Sequence, residues 1–198
     1  RFMTGKGVMA RTEIEKRLKG YLRGKRMYIL ATSLNNMPLT STAEYVLDEN
    51  VMTLSAGSER PTEKLLHLKE NPYVSLQYHK NHAFPDTVSL QVRGKATMFR
   101  GPFCKAGTGP TDEQKLMEVY DGPEVAVPCE EVDPPPEVKR FLELYAYQYM
   151  PWLEINAKNV IMTIPALLIG QVIERMMMNT MDITVIRIDQ VVIHDLSF

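Results

Sequence analysis

The clearest two-residue alternation in this chain runs from Val88 to Met98, and it commits the chain to sheet. Val88, Leu90, Val92, Ala96 and Met98 share one face of an extended strand. Ser89, Gln91, Arg93, Lys95 and Thr97 share the other. The same period recurs upstream. Met27 to Leu34 reads as a strand, Asn35-Asn36 as a turn, and Leu39 to Leu47 as the return strand with Leu39, Ala43, Tyr45 and Leu47 on one face. Asp48-Glu49-Asn50 turns the chain into Val51 to Ala56, with Met52, Leu54 and Ala56 together. Tyr73 to His79 places Val74, Leu76 and Tyr78 on one side. Five such strands predict a meander that closes into a barrel and so removes open sheet edges.

Helical spacing is confined to short stretches. Thr12 and Glu15 are spaced as a capping box, and Ile14, Leu18 and Leu22 follow, so a helix is predicted from Thr12 to Arg23. Pro61 and Glu63 open a second helix that Asn71-Pro72 ends. Residues 100–137 are rich in Gly and Pro and read as an irregular insertion with a short helix near Asp112 to Tyr120. A helix from Glu137 to Tyr149 follows. Residues 159–178 are ambiguous between strand and helix, and Ile183 to Ile188 and Val191 to Ile193 read as closing strands. The expectation is one mainly β domain over residues 1–198 with peripheral helices, and a flexible N-terminus at 1–9.

Composition excludes several function classes. The 198 residues are 44% hydrophobic and 24% charged with a net charge of −1, so no basic excess points to nucleic acid. The most apolar stretch, Val160 to Ile173, is interrupted by Thr163, Pro165, Gly170 and Gln171, and reads as buried rather than membrane-spanning. The first residues lack the apolar core of a signal peptide. Cys104 and Cys129 form no CxxC pair, and two free thiols suit a reducing cytoplasm. His79 and His82 lack the helical spacing and carboxylate of a metal motif, so no metal is expected.

One polar turn carries chemistry. Gly57-Ser58-Glu59-Arg60-Pro61-Thr62-Glu63-Lys64 leaves a strand and enters a helix. Helix-start N–H groups, a hydroxyl and two cations make an anion site, and the alternative is a solvated charged turn.

An ordered set of elements resembles the FMN-binding split barrels related to pyridoxamine 5'-phosphate oxidase. In order it comprises Leu30-Ala31-Thr32, Pro38, Ser58 and Lys64, Asn71-Pro72, Val74-Ser75-Leu76 and Gln91-Val92-Arg93-Gly94. The resemblance covers residues 27–99 and implies a split antiparallel β-barrel holding FMN. It implies Lys64 on the flavin phosphate with Ser58 beside it. Glu63 stands where the vitamin enzymes often have Arg, so Arg60 is the candidate second cation. Thr40, Ser41 and Thr42, with Leu54 and Ser55, match strands that meet the flavin, and Gln91 matches a glutamine on its ring. Trp152 is a candidate to cover the ring by stacking. No C-terminal Trp and Arg element precedes the final VVIHDLSF, so a vitamin B6 oxidase is not expected.

The implied activity is oxidoreduction through FMN on a small-molecule substrate or electron donor, with no acid–base pair required of the protein. The alternatives are a sensing module without turnover, or a related barrel using haem or a deazaflavin. The expected assembly is a homodimer with the flavin near the subunit boundary. It is implied by the resemblance and by more apolar residues at 160–178 than one barrel can enclose.

Overall fold

A computed structural model describes residues 3–4, 11–22, 27–60, 62–79, 88–111, 128–157 and 181–195. In chain order the elements are β1 (Met3–Thr4), α1 (Arg11–Leu22), β2 (Met27–Leu34), β3 (Met37–Glu44), β4 (Val46–Asp48) and β5 (Thr53–Glu59). Then come α2 (Glu63–Glu70), β6 (Tyr73–His79), β7 (Val88–Arg100), α3 (Pro136–Ala157) and β8 (Met181–Asp195). The helices and strands predicted up to Arg100 are present within a few residues of their expected limits.

The chain resolves into two compact units that interleave in sequence. The first holds residues 1–56, 66–97 and 185–198, and the second holds 57–65 and 98–184.

The first unit is sheet with α1 and most of α2. The hairpin β2–β3 turns on Asn35 and Asn36, both left-handed with φ of 51° and 63°, the geometry a two-residue hairpin needs. Asn50 N donates to Asp48 Oδ1 at 2.9 Å, and Met52 is left-handed at φ 54°, so the next strand starts at Thr53 rather than Val51. The predicted return strand to Leu47 is split at Tyr45 into β3 and β4.

Strand order is β3-β2-β6-β7-β8-β5-β4, with β1 parallel to β8 off that path. The predicted meander is therefore corrected. β4 and β5 lie at the opposite end of the sheet from β3, and β8 enters between β7 and β5. β8 is one strand of 15 residues rather than two. Met3–Thr4, expected within a flexible N-terminus, pairs with Val192 and Ile193.

Register sorts the side chains. Leu30 pairs with Leu76, and Leu76 with Val92, and all three are at most 2% exposed. With Val74, Leu90 and Ala96 they form the buried inner face, and the amphipathic α1 buries Ile14, Leu18 and Leu22. Each such buried Leu or Ile contributes roughly 1.5–3 kcal/mol. Gly94 sits on this face where a Cβ would lie 2.1 Å from the Arg187 carbonyl oxygen, so the two backbones meet too closely for any side chain.

In the second unit, the arms 101–111 and 128–135 are zipped together. Lys105 N donates to Glu130 O and Val132 N to Phe103 O, each at 2.9 Å. Cys104 and Cys129 are joined by a disulfide. The expectation of free thiols is thus overturned, and the argument from it for a reducing compartment lapses. A separation of 25 residues carries no motif; only the pairing of the arms brings the sulfurs together. Gly109, left-handed at φ 81°, packs so closely on the bridge that a Cβ would lie 2.3 Å from Cys104 Sγ.

Helix α3 runs to Ala157, eight residues past its predicted end, and it buries Val138 and Phe141. The predicted helix at 112–120 and the ambiguous stretch 159–178 lie outside the described residues. Among the described residues no helix is long and apolar enough to cross a membrane.

Candidate functional site

The polar turn after β5 belongs to the second unit. Ser58 is 6% exposed and closes the buried part of β5. Thr62 stands immediately before α2, and its carbonyl accepts from Leu65 N at 2.9 Å. An N-cap threonine usually turns its hydroxyl to a first-turn N–H. Here Thr62 Oγ1 is buried and has no partner among the described residues, although the residue as a whole is half-buried. An unmet buried hydroxyl costs about 1–3 kcal/mol, which an acceptor or donor arriving from outside would recover.

Lys64 follows two residues later in the first turn of α2 and is half-buried. Desolvation holds its ammonium below the ordinary lysine pKa, and the Glu59 carboxylate opposes that in part. A half-buried cation, an orphaned hydroxyl and helix-start N–H groups without intrahelical partners fit a phosphate. Thr62 was missed from sequence. Its signal was its position before a helix and two residues from Lys64, but only the fold shows that the hydroxyl does not cap.

Arg60 is placed differently from expectation. Its side chain is 1% exposed, and Nε donates to Asp182 Oδ1 at 2.6 Å while Nη2 donates to the Met181 carbonyl at 2.8 Å. Arg100 joins the same carboxylate through Nε at 2.9 Å and through Nη2. The second cation of the turn is thus a buried structural partner, because β8 supplies a carboxylate that the local sequence does not reveal.

The residues expected at the flavin ring belong to the first unit. Register places Thr42 opposite Ile29, Ile29 opposite Gln77, and Gln77 opposite Gln91. The next row is Thr40, Ala31, Ser75 and Arg93. Thr40, Thr42 and Gln91 therefore share the outer face of the sheet, as alternation alone had placed Gln91. Gln91 Nε2 donates to Ser75 Oγ at 3.1 Å, which orients its amide. Ser41 points to the inner face, where its hydroxyl is buried without a partner among the described residues. Leu54, expected beside the ring, is a core residue at 0% exposure, and Ser55 is 5% exposed. Both are inside because β5 is buried on both faces at that point. Trp152 lies on α3, but its side chain is outside the described residues, as is His82. Among the described residues no cluster of three metal-ligating side chains occurs.

Asn71 is the clamp behind the Asn-Pro step. Its Nδ2 donates to the Ser33 carbonyl at 3.1 Å and to Ser33 Oγ at 3.0 Å, tying the end of α2 to the end of β2.

No family profile and no curated protein sequence matches the chain. Solved structures do. A conserved hypothetical protein from Mycobacterium tuberculosis superposes with a TM-score of 0.57 at 14% identity, covering 96% of this chain and 86% of that one. A candidate 5-nitroimidazole antibiotic resistance protein from Bacteroides thetaiotaomicron gives 0.52 at 11% identity, covering 93% and 82%. A candidate pyridoxamine 5'-phosphate oxidase from Listeria innocua gives 0.44 at 13% identity, covering 90% and 95%. The chain shares its fold, a split barrel built on a curled antiparallel sheet with few helices, with the first two of these structures. In this split barrel the expected fold class is confirmed, and identity this low speaks to fold alone.

Proposed function

We propose that this split barrel is an FMN-binding flavoprotein whose phosphate anchor is the turn from Ser58 to Lys64. The observation that carries the reading is the buried Thr62 hydroxyl, without a partner among the described residues, two positions before half-buried Lys64 at the start of α2. Lys64 would meet the phosphate as a point charge, Thr62 and Ser58 as hydroxyl partners, and the first N–H groups of α2 as neutral donors. Gln91, Thr40 and Thr42 are assigned to the ring by the resemblance and by their common sheet face. When bound, FMN supplies the redox chemistry, and the side chains bind, orient and screen it. The activity that follows is oxidoreduction of a small molecule or electron partner.

The same reading makes the working species a homodimer. The outer sheet face that carries Thr40, Thr42 and Gln91 also exposes Met27, Ile29 and Tyr73 at 55%, 43% and 66%. Apolar side chains set among binding residues are suited to cover by a second chain.

The experiment is a pair of titrations. Lys64→Ala should weaken FMN binding about ten- to hundredfold, the scale of a charge-assisted hydrogen bond, and leave riboflavin nearly unchanged. Equal losses for the two ligands would overturn the phosphate assignment. A protein that takes up haem and gives no flavin spectrum would overturn the cofactor.

A further inference from the structure

The turn that carries Lys64 is polar, and one of its buried side chains reaches a distant strand. Gly57 has no side chain, and Glu59 and Glu63 face solvent. Arg60, buried like Ser58, reaches inward. It leaves the end of β5 and delivers its guanidinium to the start of β8, to Asp182 and to the Met181 carbonyl. Asp182 is wholly buried and is gripped a second time by Arg100 at the end of β7. One carboxylate thus ties the ends of three strands, β5, β7 and β8, at the point from which the chain turns toward Thr62 and Lys64.

We propose that Asp182 is a positioning residue of the phosphate turn: through Arg60 it fixes the path from β5 into α2 and so the placement of Thr62 and Lys64. The inference rests on the phosphate reading given above. It assigns Asp182 no contact with the ligand. Arg60 is two residues from Thr62 and four from Lys64, so rotating or releasing its guanidinium moves both. A fork that donates Nε to a carboxylate and Nη2 to a carbonyl defines a direction as well as a distance, which a point charge does not.

The sign of one substitution separates this from simple electrostatics. Asp182→Asn removes a negative charge near an anion site. If charge alone mattered, FMN would bind more tightly. If Asp182 positions the turn, FMN should bind about tenfold more weakly, with riboflavin changed less than about twofold. Arg60→Lys keeps the cation but loses the fork, and should show the same split. Circular dichroism and a cooperative melt establish that each full-length variant is folded, and Arg60→Lys decides the matter where Asp182→Asn does not fold. FMN affinity at or above wild type in a folded Asp182→Asn protein, or an Arg60→Lys protein that titrates like wild type, overturns the inference. Failure of the underlying reading looks different. There the wild type would bind FMN no better than riboflavin, and Lys64→Ala would leave FMN binding unchanged.

Discussion

At the scale of single residues, Lys64 is a site residue whose charge state depends on folding. Burial lowers its pKa from 10.5, and Glu59 offsets only part of that. Between the lowered value and 10.5 the unfolded chain holds this proton more firmly than the folded one does. The stability contributed by Lys64 is therefore poorest below that window and improves as pH rises through it. Binding an anion reverses the balance, because the phosphate stabilises the ammonium and a proton is taken up. FMN affinity should then fall as pH rises through the window, by at most about tenfold per pH unit, while riboflavin affinity stays level. Lys64→Arg should flatten the profile, since guanidinium does not titrate there. Isothermal titrations at a series of alkaline pH values measure this, and parallel slopes for the two ligands would remove Lys64 from the site. Asp182 shows the other side of residue-scale physics. Asp182→Asn removes the charge that Arg60 and Arg100 share, and breaking such a buried cluster costs roughly 3–5 kcal/mol. Its substitutions need a fold check before any affinity is read.

At the scale of elements, the disulfide-linked arms are the part of the chain most open to a clean test. The bridge spans 25 residues, and loop-closure entropy for that length is worth about 3.5 kcal/mol at 25 °C. Guanidinium unfolding of the Cys104→Ser, Cys129→Ser double variant should show a loss of about 2–4 kcal/mol in the unit that contains the arms. Reductant should reproduce it in the wild type and do nothing to the variant. A loss below about 0.5 kcal/mol would mean that the backbone ladder and the Lys105–Glu130 ion pair hold the arms by themselves. Strands tell a related story. β7 was legible residue by residue because one face is apolar and the other polar, and Leu90, Val92 and Ala96 are buried as their period requires. β5 was read by the same period, with Leu54 and Ala56 together, but the burial of the polar Ser55 between them was not legible.

At the scale of the whole molecule, the outstanding prediction is the assembly. Light scattering on the FMN-loaded protein at micromolar concentration should give twice the chain mass of 22.6 kDa, and a species at the single-chain mass would refute the pairing. The sequence by itself determined the local order of this protein. Period-two runs became β2, β6 and β7, and two adjacent asparagines became a left-handed hairpin turn. Those features depend on a residue's own conformational preferences and on neighbours a few positions away, so they are written locally. The tertiary structure decided the rest. It set β8 between β7 and β5, brought Cys104 to Cys129, left the Thr62 hydroxyl without a partner among the described residues, and paired Arg60 with an aspartate 122 residues away. Arg60 reads as a phosphate ligand in sequence because an arginine in a polar turn has no visible partner. Only long-range packing supplies Asp182, and a guanidinium that is already buried and hydrogen-bonded to a carboxylate serves to hold the turn in place for Lys64.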